Sequence, residues 1–131
     1  MKMKKLSRFI AIILCIIVLG GCGAKKLSSD YSEDKLKTAS EEIISDLDNE
    51  KYDDVVAKFD SVLKDKLPAS KLKEVWGDFK NLGKYDSISN IAFQEKNNNA
   101  VVVATAKYEK GKIIFTLSFN KDMKLNGIFM K

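Results

Sequence analysis

At 131 residues with no histidine, the chain is sized for one domain and lacks the side chain on which Ser-His-Asp, Cys-His and histidine-bound zinc or iron chemistry depend. The formal charge of +5 is concentrated at the N-terminus, where Lys2, Lys4, Lys5 and Arg8 lie close together. It gives no argument for nucleic-acid binding, which needs a clustered basic face on the folded domain.

Phe9 to Leu19 follows as eleven residues without a charge, too few to span a bilayer permanently. Leu19-Gly20-Gly21-Cys22 then closes the stretch. A basic region, a short apolar region and small residues before a cut make a signal peptide, and the final cysteine makes this one a lipobox. An uncleaved anchor helix would have to accommodate Arg8, three glycines and a cysteine. A cut by ordinary signal peptidase is compatible with the small residues, but Leu19 suits the lipoprotein enzyme better. The chain therefore reads as a lipoprotein signal peptide over residues 1–21, a lipidated Cys22 with a short tether over 22–31, and one domain over 32–131.

Cleavage leaves 110 of the 131 residues, with 19 Lys plus Arg against 18 Asp plus Glu, so the mature chain is almost neutral. Cys15 leaves with the signal. Cys22 becomes a thioether carrying diacylglycerol, so the domain keeps no free thiol, disulfide or cysteine metal ligand. The predicted address is the extracytoplasmic face of the cell membrane, because two acyl chains anchor stably where one binds reversibly. Lys25 and Lys26 read either as partners of anionic headgroups or as a solvated pair. From Gly23 to Ser29 an extended tether reaches at most about 25 Å.

Three helices are predicted next. Leu36, Ala39, Ile43, Ile44 and Leu47 recur at helical spacing over about residues 32–47. Tyr52, Val55, Val56 and Phe59 open a second helix that continues raggedly through Val62, Leu63 and Leu67. Pro68 suits the first position of a third helix, with Leu72, Val75, Trp76, Phe79 and Leu82 on its apolar face and Gly83 placed to end it in the left-handed conformation.

After Gly83 the period changes from helical to alternating, and four strands are expected: Tyr85 to Gln94, Ala100 to Tyr108, Lys112 to Phe119, and a last one in which Met123, Leu125, Gly127 and Phe129 continue one face. The short turns between them imply an antiparallel meander with one face covered by the helices. The fold class is α+β, three N-terminal helices packed on a four-stranded antiparallel meander sheet. Ala104 and Ala106 would let a helix approach closely.

The run Tyr52-Asp53-Asp54-Val55, Phe59, Leu63, Leu67-Pro68, Leu72, Trp76, Gly83 and Tyr85 resembles the bacterial domain of unknown function 3887. The strand half agrees, in Val101-Val102-Val103, Tyr108-Glu109-Lys110-Gly111, Phe119-Asn120-Lys121-Asp122 and Leu125-Asn126-Gly127. The resemblance covers about Leu36 to Phe129 and rests mainly on packing and turn residues. It implies a cone similar to the nuclear transport factor two superfamily (cystatin-like), in which a curved sheet wraps helices and often leaves a pocket, and it brings no catalytic residues.

Asp46-Leu47-Asp48-Asn49-Glu50 resembles a calcium loop, but Lys51 stands where glycine is expected and Ala57 where the closing acid should be, so no metal site or cofactor is expected. Nothing in the spacing singles out a carboxylate pair for acid-base work. The aromatics Trp76, Phe79, Tyr85, Phe93, Tyr108 and Phe115 are the candidate lining of a ligand pocket between the third helix and the sheet; the plain alternative is that they form the core. The preferred reading is a non-catalytic lipoprotein, attached to the membrane through Cys22, that binds a small apolar ligand, an envelope component or an exported protein. The alternatives are a small carboxylate-based hydrolase or isomerase in a cone-shaped cavity, and an immunity or inhibitor lipoprotein.

Overall fold

The computed structural model describes residues 24–131; the expected signal peptide and Cys22 lie outside the described residues. Four α-helices precede the main strands. The first, α1 (Glu33–Asp48), starts where the Ser32 hydroxyl accepts from the Lys35 N–H at 3.3 Å, a cap that satisfies one orphan donor of the first turn. Its buried stripe is Leu36, Ser40, Ile43, Ile44 and Leu47. The Ser40 hydroxyl donates to the Leu36 carbonyl at 2.8 Å, so this polar group costs the core little.

The expected second helix is two: α2 (Tyr52–Val56) and α3 (Ser61–Lys66). The chain breaks at Phe59 because its backbone pairs in parallel with Leu125. Leu125 N–H donates to the Lys58 carbonyl at 2.8 Å, and Asp60 N–H donates to the Leu125 carbonyl at 2.9 Å. Asp60 then caps α3 by accepting from Leu63 N–H at 2.8 Å. Phe59 itself is fully buried, so hydrophobic anchoring and a sheet-edge bridge override helical continuity.

Pro68 is the cap of α4 (Ala69–Gly77), one position outside the expected place. A 3₁₀ turn at Lys80–Leu82 follows, and Gly83, at φ 86° and ψ −153°, leads into the sheet. The positive φ is as expected, but the conformation is extended rather than left-handed helical.

The strands are β1 (Ala24–Lys25), β2 (Tyr85–Lys96), β3 (Asn99–Tyr108), β4 (Gly111–Phe119) and β5 (Leu125–Met130), antiparallel in the order β1-β2-β3-β4-β5. The four expected strands are joined by a fifth, two-residue strand from the tether. Asn97 and Asn98 both have positive φ, the two-residue hairpin geometry that matches sheet twist.

One face of the sheet, with Ala100, Val102, Ala104 and Ala106 from β3 and Ile113, Phe115, Leu117 and Phe119 from β4, is buried against the helices, and α1 lies over β3. A register shift between Ser118 and Phe119 moves the last strand out of the expected alternation. Ile128 and Met130 pack on the core, while Phe129 is 61% exposed. No helix among the described residues is long and apolar enough to cross a membrane.

Candidate functional site

Trp76, Tyr85, Tyr108 and Phe115 come together at one end of the helix-sheet sandwich. Trp76 stacks on Phe115 with ring centroids 6.3 Å apart and tilts against Tyr108 at 6.5 Å. Tyr85 meets Tyr108 edge to face at 5.6 Å. Trp76 and Phe115 are core residues, 1% and 0% exposed. Tyr85 is half-buried, so it forms the outer surface of the stack. Phe79 and Phe93 are partly buried against the core; Phe79 N–H donates to the Trp76 carbonyl at 2.9 Å, and Phe93 pairs with Val102 in mid-sheet.

Surface depressions of about 410, 490 and 620 Å³ adjoin this end and are lined in turn by Trp76, Tyr85 and Tyr108. None of the three is lined by Phe79, Phe93 or Phe115. The aromatic set thus divides into an inner layer of Trp76 and Phe115, Phe93 in mid-sheet, Phe79 just past the end of α4, and a mouth made by Tyr85 over Tyr108.

The mouth carries groups that sequence spacing does not reveal. The Tyr108 hydroxyl is buried and has no hydrogen-bond partner among the described residues. Burial, then Asp48, then Tyr85 push its ionisation well above the ordinary tyrosine range. The Tyr85 hydroxyl is raised too, first by burial and then by Glu41, Asp48 and Asp86. Burial raises the carboxyl of Asp48 itself. None of these three carboxylates is in an ion pair within 4.0 Å among the described residues, whereas neighbouring Asp46 takes Lys58 at 3.5 Å and Glu50 takes Lys80 at 3.7 Å. The would-be calcium loop is therefore split: Asp46 pairs with a lysine, while Asp48 lines a depression with Trp76 and its charge raises the ionisation of both tyrosines.

Local backbone geometry fixes the mouth. Lys84 N–H donates to Glu109 Oε1 at 2.7 Å, Glu109 N–H to the Lys84 carbonyl at 3.0 Å, and Lys110 N–H to the Leu82 carbonyl at 2.8 Å. Gly83 sits in this clasp; a Cβ there would lie 2.7 Å from Glu109 Oε1. Asp48 reaches the site from the far end of α1, so no local pattern could announce it.

At the opposite end Glu95, only 3% exposed, accepts from Ser28 N–H at 2.8 Å. The alternation Ile91, Phe93, Glu95 put a charge at a core-facing position, and that signal was available in the sequence. Ser28 holds this carboxyl below the ordinary glutamate range, with Lys25 and Lys121 adding to the effect.

Residues 40–128 match the model of a family described as Protein of unknown function (DUF3887). A solved NMR structure of a protein from Ruminococcus gnavus ATCC 29149 is similar, with a TM-score of 0.70 and 19% identity over 82% of this chain and 97% of that one. At that identity the likeness concerns the fold. No curated protein matches the chain.

Proposed function

The chain belongs to the DUF3887 family, and from that premise we propose that it is an exported lipoprotein, anchored by diacylglycerol on Cys22, whose domain is a non-catalytic binding module of the nuclear transport factor two type. The basic, apolar and lipobox segments in the order of residues 1–22 support the anchor. The observation that carries the binding role is the mouth: a half-buried Tyr85 over a buried Tyr108 hydroxyl with unused hydrogen-bonding capacity, beside three carboxylates that lack ion-pair partners among the described residues. Aromatic rings next to carboxylates suit an organic cation, so the ligand is an amine-bearing envelope component or a lysine-bearing segment of an exported protein. The absence of histidine and of any bonded nucleophile-base pair among the described hydrogen bonds of the mouth weighs against turnover.

Two experiments test this reading. Cys22→Ser is expected to abolish incorporation of labelled fatty acid and leave uncleaved precursor; mature protein with an unmodified Cys22 would refute the anchor. Cadaverine, a diamine probe, is expected to shift the NMR resonances of Tyr85 and Tyr108 in the isotope-labelled domain, and Tyr85→Ala to remove the shifts. Equal shifts from a neutral analogue, or none from cadaverine, would refute the mouth.

A further inference from the structure

Residues 24–31 do not form a loose tether. Ala24 pairs with Lys96 and Lys25 with Glu95. Leu27 packs on the core, and Ser28 N–H binds the buried Glu95. The Tyr31 hydroxyl donates to the Asn98 carbonyl at 2.6 Å, and Lys121 meets Asp30 at 3.5 Å. Each contact lies at the same end of the sheet, where the β2–β3 turn (Asn97, Asn98) and the β4–β5 turn (Asn120–Met123) also lie. A free seven-residue linker would let the domain swing through about 25 Å; a linker zipped to the sheet from its second residue after Cys22 removes most of that freedom.

We propose that the domain stands on the membrane in one fixed orientation, with the β2–β3 and β4–β5 turns against the phospholipid headgroups and the Tyr85–Tyr108 mouth pointing away. This rests on Cys22 being the lipidated residue. Tyr85 and Tyr108 are paired at the far end of the same strands. At about 3.3 Å per residue, the length of β3 places them about 30 Å further from the bilayer than Asn99. The orientation is covalent and mechanical rather than electrostatic. Lys25, Lys26, Lys96, Lys121 and Lys124 at the membrane-facing end are offset by as many carboxylates from the tether, the start of α1, β2 and the β4–β5 turn. Neither anionic lipid nor low salt is therefore required.

The test uses the native lipoprotein, in which an introduced cysteine is the only reactive thiol because Cys15 leaves with the signal and Cys22 is blocked. Asp122→Cys and Lys110→Cys, in exposed turns at opposite ends, are labelled with an environment-sensitive fluorophore. The proteins are reconstituted into phosphatidylcholine vesicles carrying a nitroxide on the headgroup. The label at 122 is expected to lose most of its fluorescence and the label at 110 to keep it, in low and high salt alike. Adding Glu95→Ala, which takes away the acceptor of Ser28, is expected to narrow the difference. Equal quenching at both positions, or a difference that high salt abolishes, would overturn the proposal. Intact mass separates the two failures: protein without diacylglycerol defeats the anchor and the orientation together, while lipidated protein with equal quenching defeats only the orientation.

Discussion

Tyr108 keeps a hydroxyl in the protein interior with nothing to bond to among the described residues, and an unsatisfied buried polar group costs about 1–3 kcal/mol. Tyr108→Phe removes that cost while keeping the ring against Trp76 and Tyr85. The variant is expected to be as stable as the parent or more stable by about 1 kcal/mol in urea titration, and to lose the cadaverine response of the mouth. A loss of stability would mean that the hydroxyl is satisfied in solution. The same residue gives a pH signature. Because its folded ionisation lies above the ordinary tyrosine value, its contribution is fully present below about pH 10 and is lost as pH rises beyond it. Tyr108→Phe should flatten the alkaline fall in stability; Tyr31, Tyr52 and Tyr85, also raised, leave a residual slope. Glu95 behaves in the opposite sense. Its folded value is depressed, so its grip on Ser28 is present at neutral pH and is lost as pH falls below about 4.3 and through the lower folded value. Hydrogen exchange at the Ser28 amide, corrected for intrinsic rate, should lose protection in that acid window, and Glu95→Gln should remove the pH dependence.

Gly83 shows how one backbone position can support an element. At φ 86° and ψ −153° it occupies a region open essentially to glycine alone, where another residue costs about 1–3 kcal/mol, and a Cβ would also strike Glu109. Gly83→Ala is expected to destabilise the domain by at least that amount in urea titration and to shift the Tyr85 resonances, since Tyr85 opens β2 directly after the clasp. An unchanged Tyr85 would show that the clasp does not position the mouth. Much at this scale was legible in the sequence: the period of α1, the change of period at Gly83, and the strict alternation of β4 follow from local patterning. The break at Phe59 was not, because it depends on a bridge to Leu125 some 65 residues away, although Asp60 ahead of Ser61 is a cap signal. Leu125 is on the expected core face, but beyond it the face of β5 departs from simple alternation because one bulge at Ser118/Phe119 turns every later side chain over. The tether strand is two residues long and carries no periodicity for the sequence to show. In the site, spacing brought Trp76, Tyr85 and Tyr108 forward as aromatics, but only the packing of α1 over the sheet brings Asp48 and Glu41 to them.

At the scale of the molecule, α1 runs from the tether end, where Tyr31 touches Asn98, to the mouth, where Asp48 acts on Tyr108. The buried residues of both halves form one cluster from Tyr31 to Leu125, so helices and sheet have no separate cores to melt independently. With its cysteines confined to positions 15 and 22, residues 24–131 have no cross-link to hold them and depend on that core alone. A domain of this size buries somewhat over 60% of its unfolded surface, which suffices without staples. Residues 24–131, produced without the signal and lipid, are therefore expected to unfold in a single transition. Trp76 fluorescence and far-ultraviolet dichroism should coincide, calorimetric and van't Hoff enthalpies should agree, and reductant should have no effect. The heat-capacity change should be about 1.3–1.6 kcal/mol/K. Trp76 reports the helix-sheet interface and the dichroism reports the helices and strands themselves, so a separation of the two curves would mean that the helical layer detaches before the sheet melts. That would remove Asp48 and Trp76 from Tyr108 together, and the mouth would then be a feature of the docked helices rather than of the fold as a whole.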